Sequence, residues 1–380
     1  MTTAPTGRIS ATATGIRPCV AQAVHRFGGG GAQRVTLTLA RGLARTGTPA
    51  LGIATRDLGE YAKDVRDEIE LIELGATGGV RKLVRAVRRL RGLIHDHRVG
   101  LVHCHNRGSL MMALVARVGI RLQPRIWYTW HIPEPSIILH ETGLKRRLLV
   151  WALSRCDIIW TDSQHIADLL AERAPVLHNK LRVFINAVPE SEPCNDQAAE
   201  RATLLWMARI TPIKNPMMLL RAAAELRDEG LDFRIIMAGS GGPADDWYVK
   251  QINETHRQLG LEQIVEMPGW IDDVDALLAR ANVGVQTSLQ EGLSLTLLEQ
   301  MMAGLAPVAT DCGDTAVAVR DGETGLLIPT EDETALVNAL RKVIRDPAMR
   351  RRLGEQARAA AMERFSMNAM AKRVAEALPA

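Results

Sequence analysis

Two stretches of the chain combine residue types and spacings that can do chemistry. In MARITPIKNP, Arg209 and Lys214 follow an apolar run, with Pro212 stiffening the turn between them. Two cations at the mouth of a cleft can hold a diphosphate and stabilise the charge that develops on a leaving group. An Arg-x4-Lys pair is equally at home on a solvated surface. In EGLSLTLLEQMMAG, Glu291 precedes a Gly-Leu-Ser turn and Glu299 follows eight positions later. Eight positions on one helix lie about 80° apart, which would not make a tidy pair. The spacing instead predicts Glu291 in a loop and Glu299 in the second turn of the helix after it. Gly292, Leu293 and Ser294 would then expose amides at a helix N-terminus, a site suited to an anion.

Smaller signals surround these two. Gly28-Gly29-Gly30-Gly31 and Gly239-Ser240-Gly241-Gly242 each fall between a strand and a helix. Such turns permit close backbone approach to a ligand, or are simply tight turns. His131 ends an apolar strand, where it could contact a substrate hydroxyl or make a structural hydrogen bond. His103 and His105 in VHCHN lack a third partner to make a metal site. Asp273-Val274-Asp275 has the form of a cation-binding DxD, but it opens a helix, where acids favour the N-terminus, and capping is the preferred reading. No GxSxG elbow, HExxH or kinase set is present.

These residues need a frame to position them. VAQAV, ALGIAT, LVHCH, RIWYTWH, IIWTDS and LRVFINAV read as buried strands in the first half. TLLWMAR, FRIIMAGSG, VEMPGW, NVGVQTS, APVATD and GLLIPT do so in the second, with amphipathic helices between. Repeated βα units predict an α/β protein with parallel sheets covered on both faces. Ligands in such sheets bind beyond the carboxyl ends of the strands. PESEPCNDQAAERA breaks the alternation. The expected organisation is a flexible 1–18, an N-terminal domain over 19–190, a linker over 191–202 and a C-terminal domain over 203–365. A last helix over 366–380 is placed to cross back to the N-terminal domain.

Charge divides the chain at the same place, with about +12 on residues 1–190 and −8 on the rest against a total of +4. Much of the positive charge lies in GGVRKLVRAVRRLRGLIHDHR, where Val80, Leu83, Val84, Val87, Leu90 and Ile94 recur at helical spacing among Arg81, Lys82, Arg85, Arg88, Arg89 and Arg91. A second cluster is Lys145-Arg146-Arg147. One reading is a solvated helix packing its apolar stripe on a sheet; the other is a foothold on anionic lipid or an anionic acceptor. Only 4% of residues are aromatic and no nucleic-acid motif is present, so nucleic acid is not an expected partner. Five cysteines without a CxxC pair suit reduced thiols in a cytosolic protein. No segment has the roughly 18 unbroken apolar residues of a spanning helix.

Taken in order, GGGGAQRV, YTWHIP, MARITPIKN, AGSGG, PGWIDDV, QTSLQEGLSLTLLEQMMAGLAPVATD and GDTAVAVRDGETGLLIP resemble the retaining glycosyltransferases of family 4. The resemblance implies the GT-B fold: two Rossmann-like doubly wound domains facing a central cleft. It is strongest from about Leu204 to Pro329, where Glu291 and Glu299 match the family's Glu-x7-Glu motif. It implies that Glu291 contacts the transferred sugar, that the amides of Gly292, Leu293, Ser294, Leu295 and Thr296 line the diphosphate and sugar, and that Glu299 takes the ribose hydroxyls. Arg209 and Lys214 match the diphosphate clamp, His131 the histidine near the donor sugar, and Gly30 and Gly31 the loop that closes over phosphates and acceptor. Gly239 falls in a donor-side turn, and Met267 stands where main chain meets the base. Ala208, INAVP and Gln300-Met301-Met302 depart from the usual residues.

The implied reaction is retaining, free of metal and cofactor, and moves a hexose from GDP-mannose or a UDP-hexose to a glycan. A lipid-linked polysaccharide intermediate at the inner face of a bacterial membrane suits the basic first half. A small soluble acceptor, such as an antibiotic precursor or inositol phosphate, is the second reading. A catalytically inert GT-B binding protein is the third. A nicotinamide-dependent oxidoreductase lacks its GxGxxG after the first strand.

Overall fold

Strand β1 (Cys19–Val24) is buried along its whole length, and so are β11 (Val283–Gln286) and β12 (Ala306–Thr310). Strands buried on both faces belong in the middle of a parallel sheet covered by helices. The computed structural model, which describes residues 18–28, 31–65, 67–131, 143–161, 163–183, 187–193 and 201–377, contains two such sheets. The first adds β2 (Ala50–Ala54), β3 (Glu70–Glu73), β4 (Val99–Cys104), β5 (Arg125–Trp130), β6 (Ile158–Thr161) and β7 (Leu181–Val183) in the order β3-β2-β1-β4-β5-β6-β7. The second adds β8 (Ala202–Met207), β9 (Phe233–Ala238), β10 (Val265–Gly269) and β13 (Leu326–Ile328) in the order β10-β9-β8-β11-β12-β13.

Every strand pair is parallel. Both orders reverse direction once, between β1 and β4 and between β8 and β11. In doubly wound sheets that switch point opens the ligand crevice at the strands' carboxyl ends. The chain is thus an α/β protein with two Rossmann-like sheets. Twelve of the thirteen strands among the described residues fall on the segments read from sequence. β3, the omission, is an edge strand of sequence ELIE whose two glutamates are exposed; a short, half-solvated edge carries little apolar signal.

The last helix, Met367–Ala377, returns to the first sheet. Met370, Ala371 and Val374 are buried with Val20, Val35, Leu39 and Leu43, and Val188 bridges Ser366 in parallel register. The crossing stitches the helix Gly31–Arg45 to the end of the chain. Residues 1–17 of the expected flexible N-terminus and Cys194 of the expected linker lie outside the described residues.

One expectation is corrected. The helix Val80–Asp96 buries Ala86, Leu90 and Ile94, whereas Val80, Leu83 and Val84 are exposed. Its apolar stripe packs on the sheet only in its second half.

Candidate active site

Arg209 and Lys214 both follow β8, on the C-terminal side of the switch point. Arg209 is exposed. Lys214 closes a single 3-10 turn, Pro212–Lys214, and Asn215 follows with φ of 46° to start the helix Pro216–Asp228. A proline at the first position of that helix gives up no needed hydrogen bond. The Lys214 carbonyl accepts from the Thr287 hydroxyl at 2.9 Å, and that hydroxyl accepts from the Trp206 indole N–H at 3.0 Å. The Leu289 amide donates to the Ile213 carbonyl at 2.8 Å. The two loops, far apart in sequence, are therefore laced together after β8 and β11.

Glu291 lies in the loop and Glu299 in the second turn of the helix Leu295–Met302, as their spacing predicts. Glu291 Oε1 accepts from Lys214 Nζ and from the Ser288 hydroxyl, the latter at 2.8 Å. Ser294 caps the helix, accepting from the Leu297 amide. The first-turn amides that follow have no intrahelical acceptor, and Leu293 anchors the turn by burying its side chain. Gly313 supports this loop from beneath: a Cβ there would lie 2.0 Å from the Glu291 carbonyl oxygen, and φ is 56°. The Asp314 amide donates to the Gly292 carbonyl at 3.1 Å.

Glu299 is buried, and its partner comes from the helix Gly31–Arg45 beside the first sheet: Arg34 Nη2 lies 2.9 Å from Glu299 Oε1. Burial pushes the Glu299 carboxyl above the usual carboxylate range, opposed by Arg34 and reinforced by Asp275. Sequence reasoning missed Arg34, although it stands inside GGGGAQRV; nothing local links it to a glutamate 265 residues on.

Across the cleft, three histidines gather where β4 and β5 end. His105 Nδ1 is 2.9 Å from His131 Nε2, and His105 Nε2 is 2.7 Å from Gln22 Oε1. His103 Nε2 is 2.6 Å from the Thr129 hydroxyl. Burial lowers His131 to about 4 and His103 to about 3, and drives His105 well below the ordinary imidazole value, with neighbouring histidines adding for the last two. At neutral pH all three are uncharged groups able to exchange hydrogen bonds with hydroxyls. Among the described residues no group of three His, Cys, Asp or Glu side chains could hold a metal ion.

The remaining expected positions are placed as follows. Met267 sits at a bulge where the β10–β9 register shifts between Glu266 and Gly269; such a bulge frees main-chain groups at a sheet edge. Gly239 is tightly packed. Its amide donates to the Gly269 carbonyl at 2.8 Å, and a Cβ would lie 1.8 Å from the Ala208 carbonyl oxygen. It packs the β9 turn against the Arg209 loop, with its N–H spent on the neighbouring strand. Asp273 caps its helix, accepting from the Ala276 amide at 2.9 Å. Gly31 begins the helix that carries Arg34; Gly30 lies outside the described residues.

Two parallel Rossmann-like sheets, each with a single switch point, are the architecture of the GT-B glycosyltransferases. Residues 29–192 match the profile described as Glycosyltransferase Family 4, and residues 190–360 match Glycosyl transferases group 1. The chain belongs to the family 4 glycosyltransferases. It is 26% identical over 300 residues to the putative glycosyltransferase EpsD of Bacillus subtilis, covering 73% of this chain and 76% of that protein. It is 31% identical over 199 residues to a D-inositol 3-phosphate glycosyltransferase of Streptomyces bingchenggensis, a match that spans 48% of this chain and 44% of that one. Its fold is similar to that of Anabaena HepE in complex with UDP, with a TM-score of 0.77, 19% identity, and coverage of 95% and 99% of the two chains.

Proposed function

We propose that this glycosyltransferase moves a hexose from a UDP- or GDP-sugar to a lipid-linked glycan, with retention at the anomeric carbon and without a metal. The observation that carries the donor half is the pairing of Lys214 with Glu291 beside the helix N-terminus capped by Ser294. One cation, one carboxylate and a row of helix N-terminal amides answer the three parts of a nucleotide sugar near its scissile bond. Lys214, Arg209 and the amides from Gly292 to Thr296 hold the diphosphate. Glu291 orients the sugar by its hydroxyls, and His131 contacts the same ring from the other sheet. Glu299 takes the ribose, the Met267 main chain meets the base, and the loop containing Gly30 and Gly31 closes over the phosphates. UDP in the HepE complex and the family's own chemistry support this assignment of the donor.

In the reaction the bond from the anomeric carbon to the diphosphate oxygen breaks, and a bond to the acceptor oxygen forms on the same face. The acceptor's proton passes to a leaving phosphate oxygen. Fixed cations and helix amides stabilise the departing charge without reorganising, which is where most of such an acceleration arises. A covalent sugar adduct on Glu291 would overturn this course.

The acceptor half rests on a surface of the first sheet's helices. Val80, Leu83 and Val84 are exposed on one helix among Arg81, Lys82, Arg85, Arg88 and Arg89. On the helix Leu144–Ser154, Leu144, Leu148 and Trp151 recur at i, i+4 and i+7, all exposed, beside Lys145, Arg146 and Arg147. An outward apolar stripe edged with cations suits an anionic bilayer surface. No helix among the described residues is long and apolar enough to cross a membrane. Transfer to a small soluble acceptor is the second reading, favoured by the inositol-phosphate relatives.

Thermal stability with UDP, GDP, ADP and NAD in turn tests the donor half. A ligand at about 100 times its dissociation constant adds roughly 2.7 kcal/mol. Stabilisation by one nucleoside diphosphate, weakened in Lys214→Ala, is expected. Stabilisation by NAD alone, or by none of the four, would count against it.

A further inference from the structure

We propose that Arg34 is a positioning residue for the donor: reaching from the first domain, it holds Glu299 as an oriented carboxylate whose second oxygen is kept for the ribose. The proposal rests on the donor reading above and extends it to a residue outside the Glu-x7-Glu motif. Three observations carry it. Arg34 Nη2 lies 2.9 Å from Glu299 Oε1, joining the two domains at the motif itself. Glu299 Oε2 is buried and makes no hydrogen bond among the described residues. A buried carboxylate oxygen without a donor is costly, so the site is complete only when a donor enters. Finally, Leu295, one helical turn before Glu299, packs against the first domain's buried cluster of Val35, Leu39 and Trp127. The ion pair therefore stands where the two domains touch.

The chemistry fits a cis-diol. An ionised carboxylate accepts at both oxygens and a protonated one does not. Glu299 is buried and Asp275 acts on it with like charge, so Arg34 is the group that opposes its protonation. A ribose hydroxyl can complete Oε2 while the guanidinium remains on Oε1, since each oxygen has room for two hydrogen bonds. Arg34 is itself half-exposed, and the helix that carries it is fastened to the first domain by the C-terminal helix. The orienting cation and the ribose site are thus supplied by different halves of the chain.

The test uses the full chain with whichever of UDP, GDP or ADP stabilises it, and with the corresponding 2′-deoxy nucleotide. Binding is measured by calorimetry from pH 5.5 to 8.5 for the native protein, Arg34→Ala, Arg34→Lys and Glu299→Gln. Arg34→Ala is expected to weaken the ribonucleotide about tenfold, narrow its advantage over the deoxy form, and raise the pH below which binding fades. The donor KM should rise with kcat largely kept. Arg34→Lys should recover part of the affinity, and Arg34→Ala should add little in the Glu299→Gln background. Unchanged affinity and deoxy discrimination in Arg34→Ala would overturn the proposal. So would tighter binding, which would make Arg34 a competitor of the ribose. A native protein that binds no nucleoside diphosphate would instead sink the donor reading, and this proposal with it.

Discussion

Lys214 and Glu291, 77 residues apart in sequence, form one ion pair at the mouth of the cleft, with side chains only 21% and 13% exposed. Burial is what makes the pair informative. An exposed pair contributes roughly 0–1 kcal/mol, whereas removing one member of a desolvated pair strands the other. Lys214→Ala is therefore predicted to lose about 1–3 kcal/mol of stability. The double variant Lys214→Met/Glu291→Gln should lose less, because no charge is left alone. Both should lose about 10²–10³ in kcat, the loss expected when a charge-stabilising group is removed. Denaturant titration and sugar-transfer kinetics of the two variants check this. A Lys214→Ala protein with native kcat would remove Lys214 from the clamp.

The Glu291 loop depends on a glycine outside the motif. Gly313→Ala would place a Cβ 2.0 Å from the Glu291 carbonyl oxygen and 2.9 Å from that of Gly292, at a φ of 56°. A left-handed non-glycine residue costs about 1–2 kcal/mol by itself, and the clash should roughly double that. Gly322→Ala is the matched comparison, with φ of 73° and nothing within 4 Å of the added Cβ. Both variants should be destabilised, but only Gly313→Ala should also lose nucleotide affinity. Equal nucleotide binding by the two would show that the loop does not need this support.

The three histidines predict how stability depends on pH. Their folded values lie below the ordinary imidazole value, so between about 4 and 6.5 the unfolded chain binds protons that the folded chain refuses. The stability they contribute is full above pH 6.5 and falls as pH drops toward 4. A Tm several degrees lower at pH 5 than at pH 7 is expected. Replacing His105 with Asn should flatten that slope, because it removes the central imidazole bonded to His131 and Gln22. A native protein whose Tm is flat across this range would contradict the burial of these rings.

Elements that bury whole strands were legible in the sequence, because β1, β11 and β12 must be apolar on both faces. Glu291 and Glu299 were placed correctly because helical geometry constrains positions eight apart. What escaped were relations that local pattern does not encode. β3 escaped because half of an edge strand faces water, and Arg34 because its partner lies in the other domain. The close packing of Gly239 was not separable from close ligand approach, because a glycine needed for either looks alike in sequence. Helical periodicity located the stripe from Val80 to Ile94, but periodicity says nothing of how much of a stripe the neighbouring layer covers.

That uncovered part of the stripe yields a further prediction. Leu83 and Val84, and on the basic helix Leu144–Ser154 Leu148 and Trp151, are 44–49% exposed, so exchanging them for serine should leave stability within about 0.5 kcal/mol of native. Binding to vesicles containing anionic lipid should nonetheless fall, since each apolar side chain loses its insertion into the headgroup boundary. Replacing Arg81, Lys82 and Arg85 with glutamine should weaken the same binding by about 1 kcal/mol for each cation removed. The apolar contribution should survive added salt, while the cationic one should fade as the Debye length shrinks from about 10 Å at 0.1 M to about 3 Å at 1 M. Sedimentation with neutral and anionic vesicles at two salt concentrations separates the two terms. If neither set of variants changes sedimentation at low salt, this face is not a membrane surface, and the soluble-acceptor reading takes its place.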